Sequence, residues 1–257
     1  MMPVVFIGHG SPMNAIENNE YTRDWKQIAA AIPKPEAILV VSAHWYISQS
    51  VVSAVSRPET IYDFYGFPKE LYRIEYRAPG SPELSQRVAQ LLGGNTAADD
   101  ARGLDHGAWI VLSVMYPQAD IPVVQLSINS SLSAQTVFDI GGKLRELRKS
   151  GVLIMGSGNI VHNLALADFS MSGGYGWADE FDNYILENIK NNSYEKAIEY
   201  KSAGACADRA FFSPDHFYPL LYVLGAADKA DSVTVYNNSR MAGALSMTSY
   251  LFSARKT

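Results

Sequence analysis

Short apolar runs rich in valine and isoleucine recur along this chain, and stretches with helical patterning separate them. The runs at 4–8, 37–43, 123–127 and 152–155 have the length and composition of buried strands. Between them lie helix signals such as Ser81-Pro82-Glu83, a serine N-cap followed by proline at the first helical position. Strands that alternate with helices predict an α/β fold, with a central, largely parallel or mixed sheet flanked by helices.

Weaker patterns extend this prediction along the chain. Further strands are expected at 51–55, 233–236 and 245–252, and helices at 20–31, 81–92, 109–115, 134–149, 179–190, 194–200 and 214–224. The last of these helices would hold His216 in its first turn. No repeat, low-complexity tract or linker divides the sequence, so residues 1–257 are expected to form a single domain.

The composition restricts the partners of the chain. The net charge is −5 and there is no basic run, so no nucleic-acid partner is expected. No stretch is apolar for long enough to cross a membrane, and the N-terminus lacks a basic leader and a cleavage site. We therefore expect a cytoplasmic protein without a membrane partner. The lone cysteine, Cys206, excludes an internal disulfide and a cysteine-rich zinc site.

Four of the five histidines lie at the end of a predicted strand or at the start of a predicted helix. His9 and His44 close apolar runs, His162 follows a run after a glycine-rich turn, and His216 follows Ser213-Pro214-Asp215. His106 lies in Gly103–Gly107. Because ligands of parallel α/β sheets bind at the carboxyl ends of strands, the active site is expected there.

A set of converging imidazoles predicts a metal site. The hypothesis that at least three of these histidines bind a metal ion is favoured over the alternative that they are structural, hydrogen-bonded residues. Imidazoles with few carboxylates suit zinc, copper or iron(II) better than magnesium or calcium. An iron ion with open positions would take a bidentate substrate and dioxygen, whereas a zinc ion would hold an activated water. Serine catalysis is disfavoured, because Gly156-Ser157-Gly158 does not complete a Gly-x-Ser-x-Gly motif.

Residues 57–80 form a long connection that is rich in aromatic residues and punctuated by proline. Long connections without regular structure are uncommon in compact domains and are often functional. Two interpretations stand equally: the aromatic side chains fill a secondary core, or the segment covers the substrate. Arg73 and Arg77 are candidates for binding a substrate carboxylate, although a surface salt bridge is favoured for both.

Seven segments, in order and spanning nearly the whole chain, resemble the class III, LigB-type extradiol ring-cleavage dioxygenases. Within that group they are most similar to the bacterial branch of the DOPA 4,5-dioxygenase family. The segments are Phe6–Asn14, Val40–Trp45, Asp63–Pro68, Leu104–Gly107, Pro122–Ser127, Gly156–Leu164 and Asp215–Leu221.

The resemblance implies a single catalytic domain with one mononuclear non-haem iron(II), which opens a small catechol such as DOPA and inserts both atoms of dioxygen. By this resemblance His9, His44 and His216 are metal ligands. His162 is the catalytic base, or a fourth ligand in a zinc-loaded resting site, and the base is favoured for the iron enzyme. His106 is a catalytic hydrogen-bond donor to oxygen or substrate, or else a partner that orients a ligand histidine.

Alternatives remain open at this stage. Asp215 is a less favoured substitute for His216 as the third ligand. The same histidines would serve a zinc-dependent hydrolase, and a non-catalytic metal- or partner-binding protein is a third hypothesis. The segment His162-Asn163-Leu164 departs from the His-Pro pattern of the plant pigment-forming members, so DOPA is a family label here. The sequence determines neither the oligomeric state nor the native metal.

Overall fold

The fold is built on a mixed eight-stranded sheet. The computed structural model describes residues 1–94 and 96–255. The spatial order of its strands is β4-β3-β5-β2-β6-β1-β10-β7, and β8 and β9 form a separate two-stranded sheet. The strands are β1 Val4–Gly8, β2 Ala37–Ile47, β3 Val51–Ser53, β4 Ala97–Asp99, β5 Val123–Asn129, β6 Val152–Gly158, β7 Asp231–Tyr236, β8 Arg240–Met241, β9 Leu245–Ser246 and β10 Ser249–Ala254.

The centre of the sheet is parallel, and an antiparallel pair joins each flank to it. Strands β5, β2, β6 and β1 run in the same direction, so their carboxyl ends lie along one edge. On one side β10 pairs antiparallel with β1, and β7 pairs antiparallel with β10. On the other side β3 is antiparallel to β5. The predicted α/β class with a parallel or mixed sheet is therefore confirmed.

Side-chain caps mark the start of the first four α-helices. Asn19 and Thr22 form a capping box before Glu20, and Ser81, Asp105 and Ser133 each accept a backbone amide of the helix that follows. No helix in the described part of the chain is long and apolar enough to span a membrane. The helices are α1 Glu20–Ala31, α2 Pro82–Leu91, α3 His106–Met115, α4 Ala134–Leu144, α5 Gly176–Lys190, α6 Tyr194–Ile198, α7 Ala207–Ala210 and α8 Tyr218–Ala226.

The central strands are apolar on both faces because helices cover both faces of the sheet. In β1, Val4 and Phe6 point into the core shared with α4, α5 and α8, whereas Val5 and Ile7 point into the core shared with α1 and α3. Successive side chains of a strand alternate between faces, which explains this division. The continuous apolar runs that predicted buried strands are thus the central parallel strands.

The predicted helix over 214–224 is shorter in the structure, and His216 lies before it. Residues 214–217 form a turn, and α8 begins at Tyr218. The amides of Phe217 and Tyr218 both bond to the carbonyl of Pro214, and the carbonyl of His216 accepts the amide of Asn159 instead of a helical amide. This contact with the residue after β6 accompanies a turn at residues 214–217, so the α-helix begins only at Tyr218.

Other boundaries also differ from the predictions, and three of these differences are the largest. Strand β2 continues beyond Ala43 to Ile47, with an irregular register against β5 between Val41 and Tyr46. The helix expected over 134–149 is α-helical only to Leu144 and continues as a 3-10 helix to Ser150. The final segment expected at 245–252 is two strands, β9 and β10, rather than one.

Residues 57–80 are irregular except for a 3-10 turn at Leu71–Arg73. Leu71 and Tyr76 are buried, and Tyr62 and Phe64 pack against the core formed by α1 and α3. Tyr65, in contrast, is 92% exposed. Tyr62, Phe64 and Tyr76 therefore pack in a secondary core, as one of the two interpretations expected, whereas Tyr65 does not.

Candidate metal centre

All five histidines of the chain meet at the edge formed by the carboxyl ends of β1, β2 and β6. His9 follows β1, His44 lies in the distal part of β2, and His162 follows β6. His106 is the first residue of α3, and His216 lies in the turn before α8. The ring centroids of His44 lie 5.0 Å from those of His9 and of His216, and 3.8 Å from that of His106. The predicted location of the site is confirmed.

Backbone contacts hold the separate segments together. The amide of His9 donates to the carbonyl of Gly158 at 3.1 Å, and the amide of Asn159 donates to the carbonyl of His216 at 2.9 Å. A Cβ atom at position 158 would overlap with the His216 carbonyl, so glycine is required for this approach. The ends of β1 and β6 and the turn before α8 are therefore fixed relative to one another.

The tautomer of His9 follows from its hydrogen bonds. Nδ1 of His9 lies 3.0 Å from the Ser157 hydroxyl oxygen, and that hydroxyl donates its proton to the carbonyl of Gly107 at 2.6 Å. Since the hydroxyl has a single proton, its oxygen must accept the proton on Nδ1 of His9. Nε2 of His9 therefore presents a lone pair to the site.

The distance between His9 and His44 fits two ligands of one metal ion. Their Nε2 atoms are 3.2 Å apart. Two imidazole nitrogens bound at about 2.1 Å to one ion, at angles between about 90° and 109°, lie roughly 3.0 to 3.4 Å apart. The pair is therefore compatible with a shared metal ion.

His106 interacts with a carboxylate from the 57–80 segment. Oδ1 of Asp63 accepts both the backbone amide and Nδ1–H of His106, each at 2.9 Å, and Oδ2 lies 3.7 Å from Nδ1 of His44. Burial opposes ionisation of Asp63, but its hydrogen bonds and charge interactions with His106, and its attraction to His44, lower its pKa to about 2. Asp63 is therefore ionised at neutral pH.

His216 is the histidine whose buried nitrogens lack partners. Its side chain is buried, and neither Nδ1 nor Nε2 has a hydrogen bond among the described residues. The carboxylate of Asp215 lies 3.3 Å from Nδ1, outside hydrogen-bonding geometry. An unsatisfied buried imidazole is costly, and coordination of a metal ion by one nitrogen would relieve that cost. The donor set thus fits a metal ion.

The surroundings of His9, His44, His162 and His216 keep these four rings neutral. Burial, and then proximity to the other imidazoles, lowers the pKa of His9 and His216 well below 6.5. Burial also lowers the pKa of His44 to about 3 and that of His162 to about 4, although Asp215 acts in the opposite direction on both. Neutral imidazoles have the free lone pairs that metal ions and protons require.

The family of the catalytic LigB subunit of aromatic ring-opening dioxygenases matches residues 3–252 of the chain. The chain belongs to this LigB family. Dioxygenases of this family are metal-dependent, which agrees with the cluster of neutral imidazoles.

Relatives of this LigB chain are named as extradiol dioxygenases. It is 44% identical over 256 residues to 4,5-DOPA dioxygenase extradiol of Escherichia coli (strain K12), covering 96% of this chain and 93% of that one. It is 41% identical to the Beta vulgaris protein of that name, covering 97% and 96%. A crystal structure of an uncharacterized protein from Escherichia coli K12 superposes with a TM-score of 0.87 at 40% identity, covering 98% and 100%. The chain is an extradiol ring-opening dioxygenase, and the hydrolase and non-catalytic alternatives are not favoured.

Two sets of three histidines in this LigB site could bind a metal ion. His9, His44 and His106 offer nitrogens that all lie within 4.8 Å of one another. The set that the resemblance implies contains His216 in place of His106. The two sets share His9 and His44 and differ only in the third ligand.

Several functional contacts were absent from the sequence predictions. Asp63 was part of a family segment but had no predicted role, and Ser157 was considered only as a nucleophile. Asp105 is a fully buried carboxylate that accepts hydrogen bonds from Ser42 and Gln125, and so connects β2 and β5 to the start of α3.

The arginines considered for substrate binding lie on the surface. Arg77 is exposed and donates to Glu75 at 2.6 Å, so the salt-bridge interpretation holds for it. Arg73 is exposed. A cleft of about 660 Å³ lined by residues that include Arg57 and Arg77 contains none of the histidines, so we place the chemistry at the histidine cluster instead.

Proposed function

We propose that this enzyme opens the ring of a small catechol such as DOPA by the extradiol route, with iron(II) as the metal of the active form. Residues 1–257 act as a single catalytic domain in the cytoplasm, with the catechol and dioxygen as substrates. The observation that carries the proposal is the convergence of five histidines, among which His216 has two buried nitrogens without a hydrogen bond to any described residue. The relatives named 4,5-DOPA dioxygenase extradiol support DOPA as the substrate.

The proposed ligands are His9, His44 and His216. The 3.2 Å separation of Nε2 atoms supports the first two, and the unsatisfied nitrogens support the third. His106 is the alternative third ligand, favoured by its proximity to the same pair. Bound iron(II) would bind the catecholate and dioxygen and transfer electrons between them, whereas zinc, which has no redox chemistry, is proposed only for the isolated protein.

His162 is the proposed catalytic base, and a fourth ligand in a zinc-loaded site. Its ring is only partly buried, and its lowered pKa of about 4 keeps it neutral at physiological pH. A neutral imidazole can accept the proton that a catechol hydroxyl loses when the substrate becomes a catecholate. The negative charge of Asp215 partly opposes this lowering of the His162 pKa, and thus stabilises the protonated form of His162.

His106 is the second proposed catalytic histidine. Its Nδ1–H bond to Asp63 leaves Nε2 as an acceptor for the second substrate hydroxyl. After protonation, the same nitrogen becomes a donor to bound oxygen or to the substrate. In this arrangement His106 and His162 accept and donate protons, while His9, His44 and His216 bind the metal ion.

Oxygen uptake tests the proposal. Protein reconstituted anaerobically with iron(II) is expected to consume dioxygen when DOPA is added, with the appearance of a yellow chromophore. Zinc-loaded protein is the matched control and is expected to consume none. Absence of uptake by iron-loaded protein with both DOPA and unsubstituted catechol would contradict the proposed function.

A further inference from the structure

Asp63 makes a two-point contact with His106. One carboxylate oxygen, Oδ1, accepts both the backbone amide and the Nδ1 proton of His106, each at 2.9 Å. The amide is fixed by the start of α3, so the bond to Nδ1 also restricts the rotation of the imidazole ring. The ring of His106 lies 3.8 Å, centroid to centroid, from the ring of His44.

The contact defines the protonation of the ring. Oδ1 of Asp63 already accepts the backbone amide of His106 and lies at the same 2.9 Å from Nδ1, so Nδ1 of His106 is assigned the proton that this oxygen accepts. In the neutral ring Nε2 then has a lone pair, on the side of the ring away from Asp63. Without this carboxylate, neither nitrogen would be constrained to carry the proton, and the ring could rotate.

Anchored neighbours hold Asp63 in place on both sides. Two residues before it, Ile61 donates its amide to the carbonyl of Leu104 at 2.8 Å and accepts the indole N–H of Trp109 at 2.9 Å. Immediately after it, the ring of Phe64 packs edge-on against His106 with centroids 5.6 Å apart. The position of the carboxylate is therefore set by the same core that packs against α3.

We propose that Asp63 is a positioning residue, which fixes the His106 ring in the tautomer with its proton on Nδ1 and its lone pair on Nε2. The 57–80 segment is thus part of the site because it delivers this carboxylate. The consequence for turnover rests on the proposed function of His106. The tautomer itself does not, and it is measurable in metal-free protein.

Nitrogen-15 NMR of the histidine side chains in the metal-free, full-length protein at neutral pH tests the tautomer directly. In the wild type we expect a protonated, pyrrole-like Nδ1 and a bare, pyridine-like Nε2 for His106. The variant Asp63→Asn keeps a neutral oxygen acceptor and is expected to retain this tautomer. The variant Asp63→Ala removes the acceptor and is expected to give a mixture in which Nε2 carries the proton in part of the molecules.

Asp228→Ala is the matched control. Asp228 is also a loop carboxylate that accepts a backbone amide at 2.9 Å, but it pairs with Arg145 and not with a histidine. It is expected to leave the His106 signals unchanged. In the iron-loaded enzyme, Asp63→Ala is expected to lower kcat roughly 10- to 100-fold with a smaller change in KM, as for other residues that orient an active-site group.

A His106 that carries its proton on Nε2 in the wild type would overturn the proposal, and this result needs no variant to fold. Unchanged His106 signals in folded Asp63→Ala would overturn it as well. Failure of the proposed function is a different result, because wild-type protein would then show the expected tautomer without any oxygen uptake.

Discussion

The rings of His162 and His216 lie face to face, with centroids 3.5 Å apart and planes inclined by only 3°. Two imidazolium cations at this distance would repel each other strongly, so at most one of the rings can carry a charge. His216 is buried, whereas His162 is partly exposed. The stack therefore separates a buried ring suited to a metal ion from an outer ring suited to proton transfer.

Substitution of His216 tests the third metal ligand. His216→Ala is expected to lower iron binding by at least tenfold, because the metal ion would lose one of its three protein ligands. His106→Ala is the comparison variant and is expected to retain most of the bound iron. Iron content after reconstitution and dialysis, measured by plasma emission spectroscopy, checks this. Loss of iron in His106→Ala with retention in His216→Ala would assign the third ligand to His106 instead.

Substitution of His162 separates catalysis from metal binding. His162→Gln is expected to lower kcat roughly 10²- to 10⁴-fold, which is the typical contribution of a general base. The iron content is expected to stay at the wild-type level. Steady-state oxygen uptake together with metal analysis checks both parts. Normal turnover in this variant would exclude His162 as the base, and loss of iron would identify it as a ligand.

Ser157 is expected to act on metal affinity through His9. Ser157→Ala removes the oxygen that accepts Nδ1–H of His9, so the ring is no longer held with its lone pair on Nε2. We expect the affinity for iron(II) or zinc to fall roughly 10- to 100-fold.

Ser127→Ala is the control for this prediction. Ser127 is equally buried and likewise donates to a backbone carbonyl, that of Gln49, and accepts a backbone amide, that of Val51. It contacts no histidine among the described residues. Competition with a chromophoric chelator measures the metal affinity of both variants. Equal affinities of Ser157→Ala and Ser127→Ala would show that Ser157 does not act on metal binding through His9.

The metal-free protein is expected to lose stability as the pH falls from 6.5 towards 4. In the unfolded chain a histidine binds a proton below its usual pKa of 6.5, whereas His44 in the folded protein stays neutral down to about pH 3. The unfolded state therefore binds more protons over this range, and the free energy of unfolding decreases. His44 alone contributes a loss of about 2 kcal/mol between pH 8 and pH 5.

Urea unfolding of metal-free protein at pH 8 and pH 5 measures this loss. His44→Gln cannot titrate at this position and is expected to show a smaller decrease than the wild type. Equal decreases in both proteins would show that His44 is not the source of the pH dependence.

Local sequence patterns predicted the parts of the site that depend on strand ends. The apolar runs before His9 and His44 correspond to β1 and β2, and the run before His162 to β6. Because these strands are parallel and adjacent, the three histidines had to meet at one edge. Periodicity and topology together are sufficient for this part of the prediction.

The remaining features depend on contacts between distant segments, which local patterns do not contain. The helix expected to hold His216 starts later because the His216 carbonyl bonds to Asn159. The carboxylate of Asp63 reaches His106 only because aromatic residues of the 57–80 segment pack against α3. Likewise, the proton on His9 depends on a hydroxyl from β6 and a carbonyl from α3.

Isotope labelling of the product shows whether this histidine site carries out dioxygenase chemistry. Iron-loaded enzyme is supplied with a simple catechol under ¹⁸O₂, the aldehyde product is reduced with borohydride before it exchanges with water, and its mass is measured. Extradiol ring opening predicts that both ¹⁸O atoms are present in one open-chain product. A ring-opened product that contains no ¹⁸O, or only one atom, would contradict the assignment of a dioxygenase reaction to this histidine site.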